Sequence, residues 1–578
     1  MRFGGVNLAP SWPMSMVDRD AEPRARRWRP IVALAAYGAM MVVMAFDFSS
    51  QINPDGVAYL RIAGYYLSGD VGKAVSGYWS PLYSWLLMPW LALGVSGLLG
   101  AKLLAVLLAL FWVVGVACLG RRYLESSITR RLLVVTAAVS VLTWSMEVIS
   151  PDLLLAVLLT YYFYLVLDPA TIVRPSRAFA CGVLGGFAYL AKAYAFPFFV
   201  AHFLLTIALY ACARFEPRLL KRYVAVTLAG IFGFLLVAAP WVGMLSMKYG
   251  RPTITTAAST RNIPAAVVFG ATNPDRAPFS SELKLAPIES GRVTAWEAPD
   301  EVHVPSTSAP AMVSPAAARS GRLQVILSNL IVIRDELSQF DYFHLALGAL
   351  LATAFIGFLR GLASDVGTRY LWGFFTVSLY ALGYLPLWAR EARYYWPVVG
   401  LLMVLTFGMA EQIARALTHH AESVDGRRVP ERRWMVLAAL IIAFSYVQVG
   451  SHELLHRYRT TGIDFGRLAA QLKDEAGRRG TRLQGPIAGN YWPSTVYLAY
   501  LMNQPSYGTT TIKDPRLLAA ELSRLGIRTY LVFNDEGLAE RLRQSDRFRA
   551  LAHLPMKPRT MPAETLAAFE VFERDAGR

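Results

Sequence analysis

Residues 97–122 read GLLGAKLLAVLLALFWVVGVACLGRR. From 97 to 119 the run is apolar almost throughout, long enough for the roughly 20 residues that a helix needs to cross a bilayer. Arg121 and Arg122 follow at once. A run of this length closed by paired arginines predicts a membrane-spanning helix with its basic end in the cytoplasm. The same pattern recurs on both sides of it. Spans are expected near 31–47, 97–119, 132–149, 151–167, 179–194, 196–213, 223–245, 341–360, 368–388, 394–413 and 434–450, about eleven in all. Residues 81–94 (PLYSWLLMPWLALG) are shorter and flanked by proline, which predicts a helix lying at the outer surface.

The loops order these spans. Arg19, Arg24, Arg26, Arg27 and Arg29 precede the first. Arg121, Arg122, Arg130 and Arg131 form the next basic cluster, and then Arg174 and Arg177. Arg214, Arg218, Lys221 and Arg222 follow, then Arg360 and Arg369, and last Arg415, Arg427, Arg428, Arg432 and Arg433. With eleven spans every cluster falls on one side, and the turns around Ser150 and Ala195 on the other side are almost uncharged. Positive residues gather in the cytoplasm, so the N-terminus is expected inside and the C-terminus outside. Counting 81–94 as a span would reverse every later loop and break the pattern.

Composition agrees. Of 578 residues 55% are hydrophobic and 17% charged, and the mean hydropathy is +0.38. That excludes an ordinary soluble protein. The net charge of +17 reads as membrane topology, and no nucleic-acid partner is expected. Cys118, Cys181 and Cys212 all lie in apolar runs and predict buried thiols rather than disulfides or a zinc site. Residues 1–30 are a cytoplasmic tail without the apolar core of a cleaved signal. The expected architecture is an α-helical polytopic membrane protein over 31–450, with outer loops at 48–80 and 246–340. A small extracytoplasmic α/β domain at 451–578 completes it, because PIAGN, YWPSTVYLAYLM, PRLLAAELSRLG and IRTYLVFN alternate between strand and helix character.

Charges at membrane ends without a loop role mark candidate chemistry. Asp55, Asp152, Lys192, Arg390 and Arg393 all fall at outer ends of spans or in outer loops. Each has a structural reading as well. Asp55 and Asp152 both follow prolines and suit helix starts, Lys192 suits snorkelling, and the two arginines suit interface anchors. Their shared side argues for a common site.

In order, Asp55-Gly-Val-Ala-Tyr59 through Asp70, Pro81-Leu82-Tyr83-Ser84-Trp85, Gly120-Arg121-Arg122, Pro151-Asp152, Lys192 with Pro197, and Arg393-Tyr-Tyr-Trp-Pro397 resemble the motifs of a known family. They are similar to the GT-C superfamily of polyprenyl-phosphate-sugar-dependent glycosyltransferases. The nearest branch holds the lipid A aminoarabinose transferases, the protein O-mannosyltransferases and the lipopolysaccharide-core transferases. The chain departs from the family at Asp55-Gly56, where a second carboxylate is common.

The resemblance implies a bacterial inner-membrane transferase, GT-C-like in fold, with a polyprenyl-phosphate-linked sugar as donor and an extracytoplasmic glycan, lipid or protein as acceptor. Asp55 is then the general base of an inverting displacement, with Asp152 orienting the acceptor or Asp55, or sharing a divalent cation. Lys192, Arg390 and Arg393 bind the donor phosphate. Tyr59, Tyr78, Trp79, Tyr83 and Trp85 line the substrate, against the plainer reading of an interfacial aromatic belt. No cofactor is certain beyond that possible divalent cation. Two other functions have a sequence basis. A transporter of lipid or glycan would also be polytopic, but its ionisable groups belong near the midplane. His452-Glu-Leu-Leu-His456 matches the zinc-protease pattern, with only Glu475 as a third ligand and with Arg457 and Arg459 opposing a cation.

Overall fold

A computed structural model describes residues 24–171, 173–213, 219–257, 295–297, 365–384, 391–425, 431–448, 461–480, 483, 485–510, 512–555 and 565–571. The expected span at 341–360, the motif His452–His456 and Arg390 lie outside the described residues.

The first ten helices are α1 (Arg24–Asp47), α2 (Pro54–Leu67), the short α3 (Val71–Ala74), α4 (Leu82–Ala92), α5 (Gly97–Tyr123), α6 (Ser127–Glu147), α7 (Asp152–Val166), α8 (Pro175–Ala191), α9 (Ala195–Ala213) and α10 (Leu220–Tyr249). After them come α11 (Asp365–Leu382), α12 (Trp396–Asp425) and α13 (Glu431–Gln448). Ten of the expected spans therefore coincide with helices. Among the described residues six helices are long and apolar enough to cross a membrane, and α4, α7 and part of α11 are apolar but shorter. The predicted surface segment at 81–94 is helix α4, packed beside α2 and α5.

Close packing in the bundle uses small residues, as expected where neither lipid nor neighbour supplies a hydrophobic drive. A Cβ on Gly182 of α8 would lie 1.9 Å from the carbonyl oxygen of Gly230 on α10. These two helices touch backbone to backbone. Deep among α7, α9 and α11 sits one buried imidazole, His202. Thr376 donates its hydroxyl hydrogen to the Trp372 carbonyl at 2.8 Å, which leaves its oxygen to accept from Nε2–H of His202 at 2.8 Å. Tyr162 then donates to Nδ1 at 2.8 Å. The histidine is satisfied as a neutral ring tying three helices.

The ends of the bundle differ. At one end Glu411 of α12 accepts the backbone N–H groups of Glu125 and Ser126, each at 3.0 Å, and so holds the lead-in to α6, whose first turn is capped by Ser126 itself. Arg415 pairs with Glu125 at 2.6 Å, and Arg122 reaches Asp168 at 3.1 Å over the ring of Tyr164. The other end carries the C-terminal α/β unit. There α14 (Thr461–Arg478), β1 (Ile487–Gly489), α15 (Trp492–Leu501), β2 (Ser506–Thr509), α16 (Pro515–Arg524), β3 (Thr529–Phe533), α17 (Glu536–Arg543), β4 (Phe548–Pro555) and β5 (Thr565–Val571) build a five-stranded sheet ordered β2-β1-β3-β5-β4. β1 runs parallel to β2 and β3, and β5 is antiparallel to β3 and β4. Alternation along β3 separates two layers. Tyr530 and Val532 pack with Leu518, Leu522, Leu538 and Leu542 of α16 and α17. Leu531 and Phe533 belong to a core that runs through α14 and α15 into the helical bundle.

Candidate active site

The site begins with two proline-led helix starts. Asn53 precedes α2, with Pro54 in its first turn, and Pro151 precedes α7. Neither helix has a side-chain N-cap hydrogen bond. Asp55 and Asp152 sit in the first turns, yet their carboxylates point elsewhere, onto cations from distant segments. Asn53 brings the two starts together. Its amide donates to the Ile149 carbonyl at 3.1 Å and accepts the Ile149 N–H at 2.9 Å. Gly56 lets α2 come that close, since a Cβ there would lie 2.7 Å from Cβ of Ile149. Any side chain at 56, a carboxylate included, would collide with the turn that carries Asp152.

The cations come from two helix breaks. α8 stops at Ala191, and Lys192 is extended, at φ −153° and ψ 125°. Its ammonium bonds the Asp152 carboxylate and lies 3.9 Å from the ring centre of Tyr394. Arg393 stands in the single 3-10 turn Ala392–Tyr395 before α12. Its Nη2 donates to Asp55 at 2.6 Å, its Nη1 lies 3.6 Å from Asp152, and its Nε bonds Glu391. Every nitrogen of the guanidinium therefore faces a carboxylate. The side chains differ in water access: Asp152 is 2% exposed, Arg393 12%, Asp55 19% and Glu391 53%.

One turn along α2 from Asp55 lies Tyr59, with Trp79 at 5.1 Å and Tyr83 at 5.3 Å between ring centres. Tyr78 adjoins Trp79 at 4.7 Å. Burial first, and then the Asp55 and Asp152 carboxylates, push the Tyr59 phenol well above its ordinary value, so it stays protonated. The structure thus brings together Asp55, Asp152, Lys192 and Arg393, and beside them Tyr59, Tyr78, Trp79 and Tyr83. Trp85 is placed elsewhere, packed on Tyr66 and Trp241. Among the described residues no group of three or more His, Cys, Asp or Glu side chains is arranged to hold a metal ion. Glu475, the sequence candidate for a third zinc ligand, is engaged by Arg478 and Arg479.

Several participants carry no sequence signal. Trp296 meets Trp79 at 5.5 Å and Trp492 of α15 at 4.9 Å, and the Trp79 indole donates to the Trp296 carbonyl at 3.0 Å. Arg61 of α2 donates to Asn503 at 2.8 Å and lies 5.3 Å from the ring centre of Tyr500. The helix bearing Asp55 is therefore fastened at its start to the α6–α7 turn and further along to the C-terminal unit. No local pattern distinguishes such an asparagine or arginine from a surface one.

No protein-family model matches the sequence, and no curated protein matches it. Solved structures do. ArnT from Cupriavidus metallidurans in the apo state aligns with a TM-score of 0.54 at 13% identity, covering 94% of this chain and 98% of that one. ArnT from the same organism bound to undecaprenyl phosphate aligns at 0.54 and 12% identity, with the same coverage. At such identity the likeness establishes the fold. This chain shares the fold of that ArnT structure, a polytopic helical bundle with a small C-terminal sheet.

Proposed function

We propose that this chain is a membrane glycosyltransferase that moves a sugar from a polyprenyl-phosphate donor to a hydroxyl of an extracytoplasmic acceptor. The observation that carries the reading is the four-residue cluster. Two carboxylates and two cations, from segments as far apart as positions 55 and 393, meet at the end of the bundle that bears the C-terminal unit. That ArnT of the same fold binds undecaprenyl phosphate supports a lipid donor.

In the reaction, an acceptor oxygen attacks the anomeric carbon. The bond from that carbon to the phosphate oxygen breaks, and its electron pair stays on the phosphate. The acceptor proton passes to Asp55, and direct displacement inverts the carbon. Asp55 suits the base because its carboxylate is partly open to water while Asp152 is enclosed. Lys192 and Arg393 neutralise the charge growing on the leaving phosphate; Arg offers a planar fork and Lys a mobile point charge. Asp152 holds both cations in place. Arg390 would add to the phosphate site, and Tyr59, Tyr78, Trp79 and Tyr83 would border the sugar. The basic face with Arg121, Arg122, Arg130 and Arg131 is then cytoplasmic, and the clustered site faces outward.

Mass spectrometry of envelope glycans tests this reading. A strain lacking the protein should lose one sugar from one class of glycoconjugate. The wild-type chain should restore it, and a stably inserted Asp55→Asn chain should not. Identical glycan profiles with and without the protein would overturn the proposal.

A further inference from the structure

Two of the cations assigned to the lipid phosphate, Lys192 and Arg393, already meet carboxylates. Arg393 meets a carboxylate at each of its nitrogens, and Lys192 lies on Asp152. Resting on the reading above, a phosphate entering the site competes with three carboxylates for the arms of Arg393. Water access sorts them. Asp152 is enclosed, and a buried carboxylate that loses a cation keeps the full cost of its desolvation. Glu391 and Asp55 are open enough to exchange the cation for water. Glu391 is two residues from Arg393 in the same short turn, so its contact moves with Arg393 and can be kept while the guanidinium swings. The Asp55 contact joins helix α2 to a turn 338 positions away, and it is the contact that a shift of the turn would break.

We propose that Arg393 is a shared cation that masks Asp55 in the resting protein and releases it when the lipid phosphate takes its Nη2 arm. One oxygen of the carboxylate that is to take the acceptor's proton, Oδ2 of Asp55, now accepts from Arg393, and a carboxylate bonded to a cation is a weaker base as a whole. While that bond stands, the acceptor hydroxyl meets an engaged carboxylate. Once phosphate has drawn the guanidinium away, the carboxylate turns to the acceptor. The donor thereby prepares its own base, and transfer is ordered, donor first and acceptor second.

The proposal makes an unusual prediction: removing the base should strengthen donor binding. Binding of geranylgeranyl phosphate to the full chain in nanodiscs would be titrated for wild type, Asp55→Asn and Glu391→Gln, with inorganic phosphate as the non-lipid control. Asp55→Asn keeps the shape and frees Nη2 of its charged partner. It should bind the lipid phosphate about tenfold more tightly, within the range of one charge-assisted hydrogen bond. Glu391→Gln should change the affinity by less. Equal or weaker binding by a folded Asp55→Asn chain would overturn the shared-cation proposal and leave the lipid-phosphate site standing. Tightening in Glu391→Gln alone would assign the yielding arm to Glu391 and also overturn it. No lipid-phosphate binding by any variant, or binding matched by inorganic phosphate alone, would overturn the lipid-donor reading itself, and this proposal with it.

Discussion

The two ends of the helical bundle both gather charge, and they use it differently. At the basic end Glu411 is as buried as Asp152 is at the other. Yet Glu411 spends both carboxylate oxygens on backbone N–H groups at the start of α6. Arg415 stands 3.8 Å from it and pairs more closely, at 2.6 Å, with the exposed Glu125. Those charges satisfy helix ends, and their role is architectural. At the other end Asp55 and Asp152 occupy first turns where they could cap helices, and they cap nothing. They are satisfied by Lys192 and Arg393, which stand at breaks between helices. Charges that only satisfy one another, near water and beside an aromatic wall, are available to a ligand. Burial alone does not mark a working residue; the identity of its partner does.

Substitutions at the two ends test that contrast. The largest effect is expected at Asp55. Asp55→Asn should lower transfer about 10²–10⁴-fold, the usual worth of a general base, with the thermal midpoint unchanged. A chain that keeps transfer but melts earlier would show Asp55 to be architectural too. Glu411→Ala should do the reverse. Two helix-end N–H groups lose their partner, costing about 2–4 kcal/mol, while the fraction that remains folded transfers normally. Chemical unfolding in detergent, read beside transfer per folded molecule, separates the two. Lys192→Ala should weaken use of the lipid donor about ten- to a hundredfold, as one lost charge-assisted contact to phosphate. An unchanged Michaelis constant for the donor would count against a phosphate there. Arg415→Ala has the smallest expected effect, about 1 kcal/mol of stability, because its closer pair with Glu125 is exposed and Glu411, 3.8 Å away, keeps both of its backbone N–H partners. A larger loss would mean that the basic end does more than hold helices.

Much of this was legible in the sequence, and the reasons for the limits are physical. Apolar runs such as 97–119 set helices because length and composition act locally, and the one-sided arginines order them. The break at Lys192 and the turn at Arg393 stood out as charges in apolar surroundings. What the chain could not announce was pairing across hundreds of residues. Nothing local to Asn53 tells that it clips the Ile149 backbone, or that Gly56 is small because Ile149 fills its side. Trp85 shows the opposite error. It shares a motif with Tyr83 but lies two positions on, and that offset turns it toward Trp241 instead of Tyr59. The brace from Arg61 to Asn503 depends on how the C-terminal unit seats, which a pattern of strands and helices does not specify.

If the charged end of the bundle breaks a sugar–phosphate bond, the bond's two halves must appear together as products. The direct measurement uses purified chain in liposomes, a panel of labelled polyprenyl-phosphate pentoses and hexoses, and envelope extract as acceptor. Free polyprenyl phosphate and glycosylated acceptor are quantified together. One donor should yield the two products in equal amounts, only when acceptor is present, and Asp55→Asn should yield neither. Donor recovered intact after crossing from one leaflet to the other, with Asp55→Asn behaving as wild type, would contradict bond cleavage and identify a transporter instead.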